Sequence, residues 1–430
     1  MSKPKKSEQD LLLELQFNLK DKTRILDILT SATLILFIFA FCILAIVIPD
    51  KTFSPEENRS LQTFPEFSVQ RLVDGTFISE IGDFYSDQLP LRNWFVGLKG
   101  IVEIGSLKQQ NNEVTAGADG YIVERSDFPD YDMVQTNLNG IYSIAPVLGK
   151  LDIPYTVALA GRPVDVLERY LPALYPREYS EKFVNYVKND VVSHSSELQY
   201  IDLYTPLKAM VDDDSNPYQI YYRTDHHWTT YGAYFAYCDI VRSWGLEPQP
   251  LENFTIEVGC DAFYGTTWRK AGMKWVKPEE LLLFRYDGDD NFTTTNADNG
   301  TSFDGFYDRS YLEMDNADNM DKYSTFIGGN HGLTYVTKKE LAPGETRQKL
   351  LIFKDSYSHC MIPFLAYHYD LVIVDLRYYK AAPIDLIVSE RPDRVMVLNY
   401  MGSLTDANVF ETMRMSLSKV EKQIEAGIIE

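Results

Sequence analysis

The chain has 430 residues, 45% of them apolar, and its 62 acidic against 41 basic residues leave a net charge of −21. That length and apolar share support a buried core rather than general disorder. The acidic excess argues against nucleic acid as a partner, because phosphate neutralisation needs clustered Lys and Arg, and the one basic cluster is the first six residues.

Residues 1–24 read as a polar tail carrying Lys3, Lys5, Lys6, Lys20, Lys22 and Arg24. Residues 25–49 read as one transmembrane helix: Ser31 to Ile48 holds neither a charge nor a proline, and the run is long enough for a ~30 Å hydrocarbon core. The basic flank predicts a cytoplasmic tail and an extracytoplasmic main domain. A cleaved signal peptide is the rival reading, but the run exceeds the usual ~7–15-residue apolar region and no small-x-small cleavage pattern follows it.

Residues 50–110 read as a helical leader, with helices around Phe77–Tyr85 and Leu91–Ile104. From 111 to 430 short apolar runs alternate with helical patterns. Strands are predicted at Tyr155–Leu159, Gln199–Leu203, Lys349–Phe353, Leu371–Val374 and Val395–Leu398, and helices at Asn137–Leu148, Arg177–Val192 and Thr230–Trp244. Such alternation implies an α/β fold with a mostly parallel sheet covered by helices on both faces. An insert at about 251–344, rich in Asp, Asn, Thr, Gly and aromatic residues, breaks the pattern; its strands, such as Leu281–Tyr286, are expected to be antiparallel, and it reads as a lid, a binding platform or a solvated excursion.

Two segments carry candidate chemistry. In Asp225-His226-His227 an extended backbone would put Asp225 and His227 on one face, so that the carboxylate fixes the imidazole tautomer. Ser356 ends the apolar run Leu351–Phe353 where a helix begins, which suits either a nucleophile or a helix N-cap. His226 is expected to point away and pack, and Trp228 to anchor the core. A metal site is the other reading of Asp-x-His, but the remaining histidines show no ligand spacing, so neither metal nor organic cofactor is assigned. Four cysteines, at 42, 238, 260 and 360, contain no Cys-x-x-Cys pair, and no disulfide is assigned. At the carboxyl ends of neighbouring strands, Asn399 is a candidate oxyanion donor, and Arg377 and Tyr378 are candidate substrate-binding residues.

Thr224-Asp225-His226-His227-Trp228-Thr229 resembles the signature of the bacterial DHHW protein family. Glu57-Asn58-Arg59, Asp87 to Arg92, Phe263-Tyr264-Gly265-Thr266-Thr267, Lys354-Asp355-Ser356-Tyr357-Ser358 and Asp375-Leu376-Arg377-Tyr378-Tyr379 are similar as well, from about residue 50 to the C-terminus. That family resembles in turn the SGNH-hydrolase-like domain of alginate O-acetyltransferases. The motif order is permuted relative to ordinary SGNH hydrolases, Lys354 stands where they carry glycine, Asn399 matches only by strand position, and no oxyanion glycine is found.

The resemblance implies an SGNH-like fold in which Ser356 is the nucleophile, with His227 and Asp225 completing a triad. It further implies an O-acetyltransferase or acetylesterase acting on a cell-surface or secreted polysaccharide, with a multi-pass membrane acyltransferase as acetyl-donating partner. The alternative is a catalytically inactive carbohydrate-binding or assembly protein of the cell envelope.

Overall fold

The computed structural model describes residues 8–54, 59–126, 128–313, 321–406 and 409–429. Residues 1–7 of the tail, and Glu57 and Asn58, lie outside the described residues. The chain forms two compact units, Met1–Ser54 with Arg59–Val96, and Pro55–Asn58 with Gly97–Glu430.

In the first unit a helix spans Glu8–Val47, and its Thr23–Val47 stretch is long and apolar enough to cross a membrane. Helices at Val69–Val73 and Thr76–Asp87 follow, and the segment before them packs on the second through edge-to-face contacts of Phe64 with Phe84 and Phe67 with Phe77.

The second unit is built on an eight-stranded sheet. Its strands are β1 (Tyr155–Ala160), β2 (Gln199–Asp202), β3 (Phe292–Asn296), β4 (Thr301–Asp304), β5 (Leu333–Lys338), β6 (Gln348–Lys354), β7 (Tyr369–Val374) and β8 (Arg394–Tyr400). They lie in the order β4-β3-β5-β7-β6-β8-β1-β2. From β7 to β2 all neighbours are parallel, whereas β5, β3 and β4 extend the sheet antiparallel.

Strand periodicity divides the core in two. Along β6, Leu350 and Ile352 face one apolar cluster and Leu351 and Phe353 the other, all fully buried. The first face is covered by helix Thr230–Ser243 and the second by helices Tyr131–Tyr142, Glu178–Ser193 and Pro383–Glu390. The expected mostly parallel sheet with helices on both faces is therefore present.

Two details differ from expectation. The single helix read over Asn137–Leu148 is two, Tyr131–Tyr142 and Ala145–Lys150, with Pro146 in the first turn of the second, where its missing N–H costs nothing. The insert is not one excursion. Its β3, β4 and β5 join the main sheet, while Glu279–Arg285 pairs antiparallel with Thr255–Phe263 in a separate two-stranded sheet.

In this topology β6 is followed by β7 on one side, and β7 by β8 on the other. The chain thus diverges at the carboxyl end of β6, where an open α/β sheet leaves room for a site. Ser356 is there.

Candidate active site

β6 ends at Lys354, and Asp355 then redirects the chain. The Asp355 Oδ1 accepts from the Tyr357 N–H at 2.9 Å, capping the helical turn Ser356–Met361, while Oδ2 accepts from the Tyr400 N–H at 2.8 Å and the Ser403 hydroxyl at 2.7 Å. This buried carboxylate ties the end of β6 to the end of β8 and leaves Ser356 half-buried. The cap that Ser356 itself might have supplied is supplied by Asp355.

The Asp225 segment is a loop folded back on itself rather than an extended strand. Tyr222 N–H donates to the His227 carbonyl at 3.2 Å and Thr229 N–H to that of Ile220 at 2.9 Å. Gly232 permits this, since a Cβ there would lie 2.3 Å from the Ile220 carbonyl oxygen. Within the loop the His227 N–H donates to Asp225 Oδ1 at 2.9 Å, an Asx turn. That turn, not strand alternation, brings the carboxylate under its own imidazole two residues on.

Two hydrogen bonds lock this loop to the Ser356 turn. Trp228 Nε1–H donates to the Tyr357 carbonyl at 2.7 Å, and the Tyr357 hydroxyl donates to the His226 carbonyl. The first is buried and the second partly so, and each lies one residue from a candidate. Trp228 is thus a core anchor that also sets the register between segments 129 positions apart.

The consequence is a continuous chain of polar atoms. Ser356 Oγ lies 2.7 Å from His227 Nε2, and His227 Nδ1 lies 2.5 Å from Asp225 Oδ1. Asp225 Oδ2 accepts from the Thr266 N–H at 2.7 Å and from its hydroxyl at 3.1 Å. Burial alone would raise the Asp225 carboxyl, but His227 and His226 outweigh it and hold the group well below the carboxylate range. Burial and the neighbouring His226 push His227 below the ordinary histidine value. A charged carboxylate accepts only, so Nδ1 carries the proton and the Nε2 lone pair faces Ser356.

Sequence reasoning missed the supports of this chain. A Cβ on Gly265 would sit 2.1 Å from the Asp225 Cβ, so only glycine lets the Thr266 amide reach the carboxylate. The half-buried Glu279 accepts from the Arg223 and Thr224 amides at 2.9 and 2.7 Å, fixing the loop's entry. Tyr323 stacks on His227 with centroids 4.2 Å apart and planes 13° apart, and its hydroxyl donates to the Ser356 carbonyl at 3.3 Å. Gly265-Thr266 stood in the resemblance as a motif without a role. Nothing local to Glu279 or Tyr323 marks them, since both lie in the insert.

Three other expectations change. With the Asn399 amide oriented so that each end meets a complementary partner, its nitrogen donates to the Phe353 carbonyl at 3.1 Å and its oxygen accepts from the Asp355 N–H at 3.2 Å. It braces the β6 terminus. Arg377 pairs with Asp375 through two bonds, at 2.9 and 2.6 Å, and its guanidinium lies 5.5 Å from the ring of the exposed Tyr378. Neither Arg377 nor Tyr378 makes a hydrogen bond or ring contact with Ser356 or His227 among the described residues, because the neighbouring buried Asp375 claims the guanidinium first. His226 does not turn away: its ring lies against that of His227 at 3.9 Å, and its Nδ1 is 2.6 Å from the Thr266 hydroxyl.

Asp225, His226 and His227 also form the kind of cluster that can ligate a metal. Both Asp225 oxygens, His226 Nδ1 and both ring nitrogens of His227 already have the hydrogen-bond partners named above, so a metal would have to displace them.

The family model described as DHHW protein matches residues 204–375, which contain both segments. The chain is similar to the crystal structure of a DHHW family protein from Eubacterium siraeum, at 20% identity over 70% of this chain and 95% of that one, with a TM-score of 0.57. It is also similar to Bacillus cereus PatB1 with a sulfonyl adduct, at 16% identity over 70% and 99% of the two chains, with a TM-score of 0.55. The O-acetyltransferase domain of Pseudomonas putida AlgJ matches at 14% identity over 73% and 99%, with a TM-score of 0.44. The first two establish a shared fold. No curated protein matches.

Proposed function

We propose, from a chain whose residues 204–375 match the DHHW protein model, that this is a serine-dependent O-acetyltransferase or acetylesterase acting on a polysaccharide outside the cytoplasmic membrane. One observation carries the reading: a hydroxyl on a strand-to-helix turn within 2.7 Å of a neutral imidazole that is itself held by a buried carboxylate. Ser356 Oγ attacks the acetyl carbonyl while His227 Nε2 takes its proton, and His227 returns that proton to the departing group, the donor's own in transfer and the sugar oxygen in hydrolysis, as the acyl bond breaks. Acetyl-Ser356 remains. An acceptor hydroxyl or water, deprotonated by His227, then attacks it and releases Ser356, giving transfer or hydrolysis. Asp225 holds the tautomer and balances the imidazolium charge in both halves.

The Thr23–Val47 helix serves as the anchor, with the basic tail on the cytoplasmic side. Acetyl-CoA is cytoplasmic, so transfer on the far side calls for a multi-pass membrane acyltransferase as donor. The test uses full-length protein in detergent, with p-nitrophenyl acetate as substrate and a sulfonyl fluoride as trap. Turnover, with adduct mass on the peptide carrying Ser356, is expected. Absence of both in a folded protein would overturn the mechanism in favour of the carbohydrate-binding alternative.

A further inference from the structure

Asp225 of the triad and the neighbouring His226 line one edge of a larger concavity. A cleft of about 570 Å³ begins at Asp225, His226 and Thr266 and reaches Arg125, Ser126 and Phe128. A second, of about 380 Å³, shares Arg125, Ser126 and Phe128 with the first and ends at Tyr175 and Tyr179. An acetyl group needs only a small part of this space, and each volume is of the size that holds a whole small ligand.

The lining has a definite chemical character. Phe128 is 64% exposed although two aromatic neighbours are close by, Tyr179 at 5.5 Å and Tyr131 at 5.7 Å between centroids, both edge to face. Those edge contacts set the ring's orientation and leave its surface accessible. Around it the walls are polar: Glu124, Ser126, Asp130 and Thr266 all offer hydrogen-bonding groups. An acyl chain would find too little apolar wall along this polar lining, and a nucleic acid would meet the carboxylates of Glu124, Asp130 and Asp225 in a protein of charge −21. A carbohydrate fits both features, since a sugar ring has an apolar C–H face to lay on an aromatic ring and a rim of hydroxyls for polar walls.

We propose that the two joined clefts are the bed of one polysaccharide strand, with Phe128 and Tyr179 forming the platform for a sugar remote from the one whose oxygen is acetylated. This rests on the acyl-serine reading for its orientation, because His226 marks the reactive end. The platform makes the protein select chain length, so a polymer is the preferred substrate over a single sugar.

The experiment uses the full-length protein and two probes, a hexamer of β-1,4-linked N-acetylglucosamine and a hexamer of β-1,4-linked mannose, each titrated calorimetrically against its own monosaccharide. At least one hexamer should bind more tightly than its monomer. Phe128→Ala should weaken that hexamer by about fivefold to tenfold, the worth of one ring contact, with Tyr179→Ala in the same direction and Phe128→Trp restoring binding. Far-UV circular dichroism and the thermal unfolding midpoint should be unchanged in all three, which shows that they are folded. If neither hexamer exceeds its monomer, or if Phe128→Ala leaves the preference intact, the strand-binding proposal is overturned. Loss of p-nitrophenyl acetate turnover in the unaltered protein is a separate outcome. It removes the acyl-serine reading but leaves the length preference measurable.

Discussion

His227 and His359 are both buried imidazoles lying nearly parallel to the ring of Tyr323, at 4.2 Å and 6.2 Å between centroids. Their partners set them apart. His227 gives Nδ1–H to a carboxylate and turns Nε2 toward a hydroxyl. His359 Nε2 instead accepts a hydrogen bond from the buried Lys354 ammonium at 2.7 Å, its Nδ1 has no hydrogen-bond partner among the described residues, and Lys354 reaches Asp375 at 3.3 Å. Burial and the adjacent lysine charge keep His359 neutral, well below the usual histidine range. The same side chain is therefore a poised base in one cluster and a structural acceptor in the other. A base needs a carboxylate on one nitrogen and a proton source with somewhere to send it on the other, and only His227 has both.

The largest expected effect sharpens that contrast. Ser356→Ala and His227→Ala should each lower acetyl-ester turnover by roughly 10⁴-fold or more, the scale on which triad members act together. Ser356→Ala should leave unfolding free energy within about 1 kcal/mol in a urea titration, since one hydrogen bond is lost, whereas His227→Ala loses two and leaves the buried Asp225 carboxylate without its imidazole, and should cost about 3 kcal/mol. Asp225→Asn should follow at about 10³- to 10⁴-fold, because an amide in that place can present its N–H to the ring and favour the wrong tautomer. An equal loss of activity in His359→Gln would erase the distinction between the two histidines.

Lys354→Met probes the other cluster and should show the reverse pattern. It removes one partner of a buried charge group and should cost about 3 kcal/mol of stability, while turnover per folded molecule, measured by sulfonyl-fluoride active-site titration, falls by less than about tenfold.

The pH profile separates the clusters further. His227 works only as the neutral ring, and its folded value is depressed, so activity should be full at neutral pH and fall as pH drops through a value well below the ordinary 6.5. An acid limb centred at or above 6.5 would contradict this. Smallest of all, Tyr323→Phe deletes the 3.3 Å bond to the Ser356 carbonyl but keeps the ring over His227, and should change kcat by less than about tenfold.

Much of this arrangement is legible in the chain itself, where the physics is local. β6 and β8 are apolar runs, so they read as strands. Asp225 and His227 are two residues apart, so almost any compact backbone lets them meet, and the predicted extended segment and the observed Asx turn have the same result. Ser356 was ambiguous between cap and nucleophile, and the ambiguity lifted only because Asp355, one residue earlier, performs the cap. Asn399 and Arg377 show the opposite case. Strand position predicted where they stand but not what holds them, and buried neighbours, the Phe353 carbonyl and the Asp355 amide for one and Asp375 for the other, engage their polar groups.

The amino-acid order alone determined the membrane-length helix, the alternation that builds a parallel sheet, and the residue types able to do acyl chemistry, because hydrophobic period and short-range hydrogen bonding are properties of neighbours. Only the folded chain decided that Trp228 and Tyr357 would tie two segments together across 129 positions, that the insert would give its β3–β5 strands to the sheet and Tyr323 to the site, and that His227 rather than His359 would face a hydroxyl. Those are long-range choices made by buried polar groups. Each such group must find a partner in the packed interior, and the partner is set by which surfaces meet, not by what lies next to it in sequence.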